Sequence, residues 1–131
     1  MTLIQYTMPS ELLRDDLLRF GEIVLVRFPF TSQLATKQRP ALVISGSIYN
    51  RIRRDIIVMA VTSQMSLTVE YGHTEIVNWE KAGLLKPSVI KPIIATFEQT
   101  LILRKLGKLI GGDLSALKQL LTRITGEDDI V

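Results

Sequence analysis

Hydrophobic residues in this chain come in short runs separated by polar or glycine- and proline-marked breaks, a spacing that predicts mostly strands. "EIVLVRF" (22–28) reads as a strand and "PFTSQLATKQ" (29–38) as a polar loop between two prolines. "PALVIS" (40–45) and "DIIVMAVTS" (55–63) are almost continuously apolar, as strands covered on both faces are. Between them "GSIYNRIRR" (46–54) reads as a basic connector. A further strand is predicted at "TEIV" (74–77), a helical turn at "NWEKAGLL" (78–85), and a strand in "PSVIKPIIATFE" (87–98) that Pro92 breaks or confines to an edge. "LILRKLGK" alternates apolar and basic residues around a turn.

Two stretches carry a helical period. In residues 10–19, Ser10 can cap, Glu11 suits the first turn, and Leu12, Leu13, Leu17 and Leu18 form an apolar face. In "GGDLSALKQLLTRITG", Asp113 is the expected N-cap, and Gly126 ends the helix. Leu114, Leu117, Leu120, Leu121 and Ile124 make its apolar stripe. The fold class expected is mainly β with α, a small curved antiparallel sheet or barrel with a C-terminal helix and a short extra N-terminal helix. We divide it into a helical extension (1–19), one domain (20–126) and an acidic tail (127–131).

Composition agrees with one folded domain: 131 residues, 47% apolar and 22% charged. No cysteine is present, which excludes disulfides, thiol catalysis and zinc–thiolate sites. No run approaches the roughly 18 apolar residues of a membrane span, and the first residues lack a secretory pattern. A cytoplasmic protein with no membrane partner is expected. The net charge of +3 hides an uneven distribution: residues 17–126 carry 15 basic and 7 acidic side chains. Such an excess favours a polyanionic partner, since each neutralised phosphate releases condensed counterions.

The candidate chemistry follows from strand order. If the strands at 40–45 and 56–62 are consecutive and antiparallel, the start of one lies beside the end of the other. Arg39, Thr62, Ser63 and Gln64 then line one patch, with Lys37 on its rim. Arginine offers a rigid charged fork for phosphate oxygens, and hydroxyl and amide groups add donors. The alternative is an arginine paired with an acid and a threonine capping a strand end. Asn50, Arg51, Arg53 and Arg54 in the basic connector are candidates to follow a polyanion's phosphate backbone, or else a solvated loop. Phe28 and Phe30 fit a core-facing strand end better than base stacking, and Trp79 fits a small-domain core.

At these residues the chain resembles the PemK/MazF family of bacterial toxins. The resemblance covers about residues 20–125 and rests on "FGEIVLVRFPFT", "KQRPALVIS", "DIIVMAVTSQ", "AGLLKPSVIKP" and "LILRKLGKL" in that order. It implies an SH3-like antiparallel barrel, usually a homodimer, and an endoribonuclease that cuts single-stranded RNA without metal or cofactor. It also implies a cognate antitoxin as partner. Catalysis in the family centres on the positions of Arg39 and Thr62, with a 2′,3′-cyclic phosphate and a 5′-OH as products. Two departures bear on the chemistry. Gly21-Glu22 stands where many members have Gly-Asp, and Leu34-Ala35 where MazF-like relatives have Glu-Gln. The loop therefore lacks a carboxylate, and Glu22 is the possible base if its strand starts near the patch. His73 reads as a surface or structurally bonded histidine. The competing function is a non-catalytic barrel that binds RNA or a protein target such as DNA gyrase, an activity of a related toxin family. A third is a structural partner of a DNA-binding antitoxin, acting in autoregulation.

Overall fold

Period-two alternation along the long strands sorts their side chains onto two faces, and both faces are dry. The computed structural model describes residues 17–28, 37–63 and 70–127. In chain order these form β1 (Glu22–Phe28), β2 (Lys37–Val43), α1 (Ser47–Arg53), β3 (Asp55–Thr62), β4 (Thr74–Ile76), β5 (Ser88–Glu98), β6 (Ile102–Lys108) and α2 (Gly112–Thr125). The strands make one six-stranded antiparallel sheet in the order β4-β5-β3-β2-β1-β6. The fold is thus mainly β, as the runs predict, and curls into an antiparallel half-barrel.

On the outer face Ile23, Leu42, Met59, Val61 and Ile90 pack with Leu117 and Leu120 of α2. Burying each of these leucines contributes about 1.5–3 kcal/mol. On the inner face Val24, Val26, Ala41, Val43, Ile56, Val58 and Phe97 form a second core with Leu18. The curl lets the inner face pack on itself. Register shifts supply the bending, two between β1 and β6 and one between β3 and β5. The last falls where Lys91 pairs with Ala60 and Ile94 with Met59. Pro92 lies in that shift, where its missing N–H interrupts no ladder bond.

Four local expectations change. The connector at 46–54 contains a real helix, α1, although nothing caps its N-terminus. Tertiary bonds hold it: the buried Asn50 amide donates to Leu18 O (2.9 Å) and Ser45 O (3.2 Å) and accepts from the Ser45 hydroxyl. Asn50 is therefore a core brace, and its side chain is not available to RNA. The "LILRKLGK" segment is not a turn but β6, paired along β1. Asp113 does not cap α2, whose N-cap is Gly111. Its buried carboxylate instead accepts from the amides of Val77 (2.9 Å) and Asn78 (2.8 Å), which a charged acceptor satisfies well. Most of the helix expected at 10–19 lies outside the described residues, and residues 17–19 are irregular. No described helix is long and apolar enough to cross a membrane.

The turn at 77–83 seats directly on β6. Gly83 closes it at φ +91°, and a Cβ on Gly107 would stand 2.1 Å from Ala82 O. Gly107→Ala must push two backbones apart. We expect a loss of about 3 kcal/mol and a Tm lower by roughly 10 °C in a thermal melt. Gly112→Ala, at an open helix position, is expected to be neutral or slightly stabilising. Asn50→Ala strands the Leu18 and Ser45 carbonyls and should cost about 2–3 kcal/mol in a urea titration, without a specific loss of nucleic-acid affinity.

Candidate active site

The β2–β3 ladder pairs Ala41 with Ala60, Leu42 with Met59 and Val43 with Val58. Continued two residues, this register sets Pro40 opposite Val61 and Arg39 opposite Thr62. Pro40 has no N–H to donate, so the bonded ladder ends before that pair. On the other side of β2, Arg39 pairs with Val26 and Lys37 with Phe28 of β1. On the other side of β3, Thr62 pairs with Val89 and Ala60 with Lys91 of β5. Lys37, Arg39, Thr62 and Lys91 therefore share the inner-face parity of Ala41, Val43 and Val58. The inner core gives way at this end to a cationic mouth floored by Ala41 and Ala60.

Lys37 and Arg39 are exposed there, while Thr62 and Lys91 are half-buried. Among the described residues no ion pair involves Lys37, Arg39 or Lys91. Cations gathered at one end of the sheet repel one another. An anion relieves that repulsion, and a phosphate matches an arginine fork, a hydroxyl and an ammonium in both charge and donors. Ser63 follows Thr62 and is exposed at the same end; Gln64 and the 29–36 loop lie outside the described residues. Lys91 escapes sequence reasoning because β5 pairs directly with β3, with β4 between them in the chain. The available signal was a lone lysine within the apolar run "SVIKPII".

Other nominated residues lie elsewhere. Ile23 pairs with Leu42, so Glu22 is level with Val43, about 13 Å along the strand from the Arg39 level. Its carboxylate accepts from the Arg19 amide and pairs with Lys105 Nζ at 3.3 Å. The first strand does not start near the patch, and Glu22 is not brought to it. Arg51 and Arg53 lie on α1 and Arg54 at its C-cap, where φ is 59°. That is the far end of β3, roughly 23 Å from Thr62. Arg53 pairs with Asp55 at 3.7 Å. A hydrogen bond to the same carboxylate holds the Tyr49 phenol above its ordinary 10.0. His73 is half-buried in the turn before β4, with Nδ1 3.2 Å from Glu70 O. Trp79 packs against the outer core. No three His, Asp or Glu side chains among the described residues cluster as metal ligands would.

Solved structures share this architecture. The Mycobacterium tuberculosis toxin MazF-mt6 superposes with a TM-score of 0.65 at 18% identity, over 82% of this chain and 98% of that one. A chain of the Deinococcus radiodurans MazE–MazF complex gives 0.67 at 19% identity, over 86% and 99%. A mycobacterial endoribonuclease in complex with its cognate antitoxin gives 0.66 at 14%, over 86% and 97%. At these identities the likeness speaks for the fold. No curated protein matches in sequence. Residues 19–125, nearly all of the described sheet and both helices, match the profile of the PemK-like, MazF-like toxins of type II toxin–antitoxin systems, and the chain belongs to that family.

Proposed function

We propose that this chain is the toxin of a toxin–antitoxin pair and a metal-independent endoribonuclease that cleaves single-stranded RNA in the cytoplasm, working as a homodimer. The observation that carries this reading is the cationic mouth, with Arg39 across from Thr62 and Lys91 beside them; the carboxylate level with this rung, Glu75, lies two strands beyond Thr62 on β4. The antitoxin-bound neighbours support a cognate antitoxin as the partner that silences it.

In the proposed reaction the ribose 2′-OH attacks the adjacent phosphorus and the bond to the 5′ oxygen breaks. The products are a 2′,3′-cyclic phosphate and a 5′-OH. Charge builds on the non-bridging oxygens, where a preorganised donor matters most. Arg39 stabilises that charge, Thr62 holds the phosphate, and Lys91 adds a second positive charge from the β5 side. The guanidinium is not the proton acceptor, because it stays charged near neutrality. The loop segments 29–36 and 64–69 contain no acid and no histidine. Glu75 stands two strands from Thr62, so hydroxide is our assigned acceptor of the 2′-OH proton, and the water so formed returns a proton to the departing 5′ oxygen.

Arg39→Ala should lower the cleavage rate about 100- to 1,000-fold, measured on mixed-sequence RNA in EDTA with product ends mapped. A folded wild-type protein that cuts no RNA would replace this reading with a barrel gripping a protein target. The assigned acceptor has its own signature. Between about pH 6 and about pH 8 the rate should climb about tenfold per unit, whereas a carboxylate base would already have levelled off. A plateau across that range in the pH–rate profile would return the role to a side chain.

A further inference from the structure

The outer face next to the mouth carries a second cationic feature that the proposed chemistry does not use. Arg27 lies on β1 with the parity of Ile23 and Leu25, beyond the reach of α2, and is exposed. It pairs with Gln38, one rung from the Val26–Arg39 pair at the mouth. Leu25 pairs with Arg104 of β6, next to the register shift between Leu25 and Val26, so Arg104 stands on the outer face two residues along β1 from Arg27. Both arginines and Gln38 are exposed, and neither arginine has an ion pair among the described residues.

A charge on an edge strand such as β6 has a structural use, because it discourages pairing with another sheet. That accounts for Arg104 alone. β1 is flanked by β2 and β6, so Arg27 guards no edge, and placing it near a like charge costs stability. The described carboxylates give no relief: on β1 and β6 there is only Glu22, which is engaged with Lys105 at the other end.

We infer that Gln38, Arg27 and Arg104 form an accessory contact for the RNA backbone, which leaves the mouth over the rim of β1 and β2 and crosses onto this outer face. The inference rests on the proposed ribonuclease reading. Continuity with the mouth favours RNA over an acidic peptide: Arg27 and Arg39 are one rung apart on opposite faces near the Phe28–Lys37 end of one ladder, so a polyanion that rounds this end meets both.

The test is binding of a fluorescein-labelled, fully 2′-O-methylated RNA of about 20 nucleotides, which lacks the attacking hydroxyl, over a salt series. Wild type is compared with Arg27→Gln/Arg104→Gln and with Arg53→Gln/Arg54→Gln at the far end. Each lost phosphate contact on a single strand reduces the slope of log affinity against log salt by about 0.7. The first pair should therefore lower the slope by about 1.4 and weaken binding, and the second should leave the slope as it is. A thermal melt confirms folding, and loss of the like-charge pair should leave Tm equal or slightly higher. An unchanged slope in the first pair, with wild type binding normally, overturns the inference. So does a loss confined to the affinity for an acidic antitoxin peptide. Failure of wild type to bind any RNA would instead bring down the ribonuclease reading.

Discussion

The register between β2 and β3 is the constraint on which the site depends. Side chains alternate along a strand, so a one-residue slip would send Arg39 to the outer face and turn Leu42 inward. Burial forbids that slip. Leu42 and Met59 pack beneath α2, while Ala41, Val43 and Val58 close the inner core. With both faces dry, either direction of slip moves every residue of the strand into the wrong core. The packing that stabilises the domain thus also places the arginine opposite the threonine, and no specific contact between those two side chains is required.

The two ends of the half-barrel differ in how charge is handled. At the α1 end, Asp55 answers Arg53 and Glu22 answers Lys105, which also donates to Leu17 O at 2.8 Å. At the other end, Lys37, Arg39 and Lys91 are in no ion pair among the described residues, and Glu75 stands on the Thr62 rung two strands away, on β4. The Arg53–Asp55 pair, with its exposed arginine, adds little stability, about 0–1 kcal/mol. The cations at the mouth and its outer rim, which are in no ion pair among the described residues, add a positive potential there that attracts a polyanion.

The rest of the fold keeps this mouth in shape from a distance. β5 supplies Lys91, and its position depends on the shift at Pro92 that realigns the strand against β3. The same half of β5 pairs with β4 on its other side, and the turn after β4 is held by the Asp113 carboxylate and seated on Gly107 of β6. This backbone-to-backbone contact leaves no space for adjustment. Rigid scaffolding suits the proposed role of the site in charge stabilisation, because donors help most when already aimed at the developing charge.

Much of this was legible in the residues themselves. Apolar runs located β1, β2, β3 and β4, the leucine stripe located α2, and antiparallel order alone put Arg39 near Thr62. Three features were not, each for a reason of distance along the chain. Asn50 and the arginines after it look like a solvated basic loop until Leu18, 32 residues away, receives the Asn50 amide. Asp113 has the type and position of a helix cap, yet two amides 35 and 36 residues earlier claim its oxygens. Lys91 carries no local sign of its place, because only the direct pairing of β5 with β3, with β4 between them in the chain, brings it to the mouth. Local sequence determined which residues are strand, helix or phosphate-binding in kind, since period and side-chain chemistry act over a few residues. Which of those cations meet at one place was decided by the tertiary structure alone, because strand pairing joins residues whose separation in sequence says nothing about their separation in space.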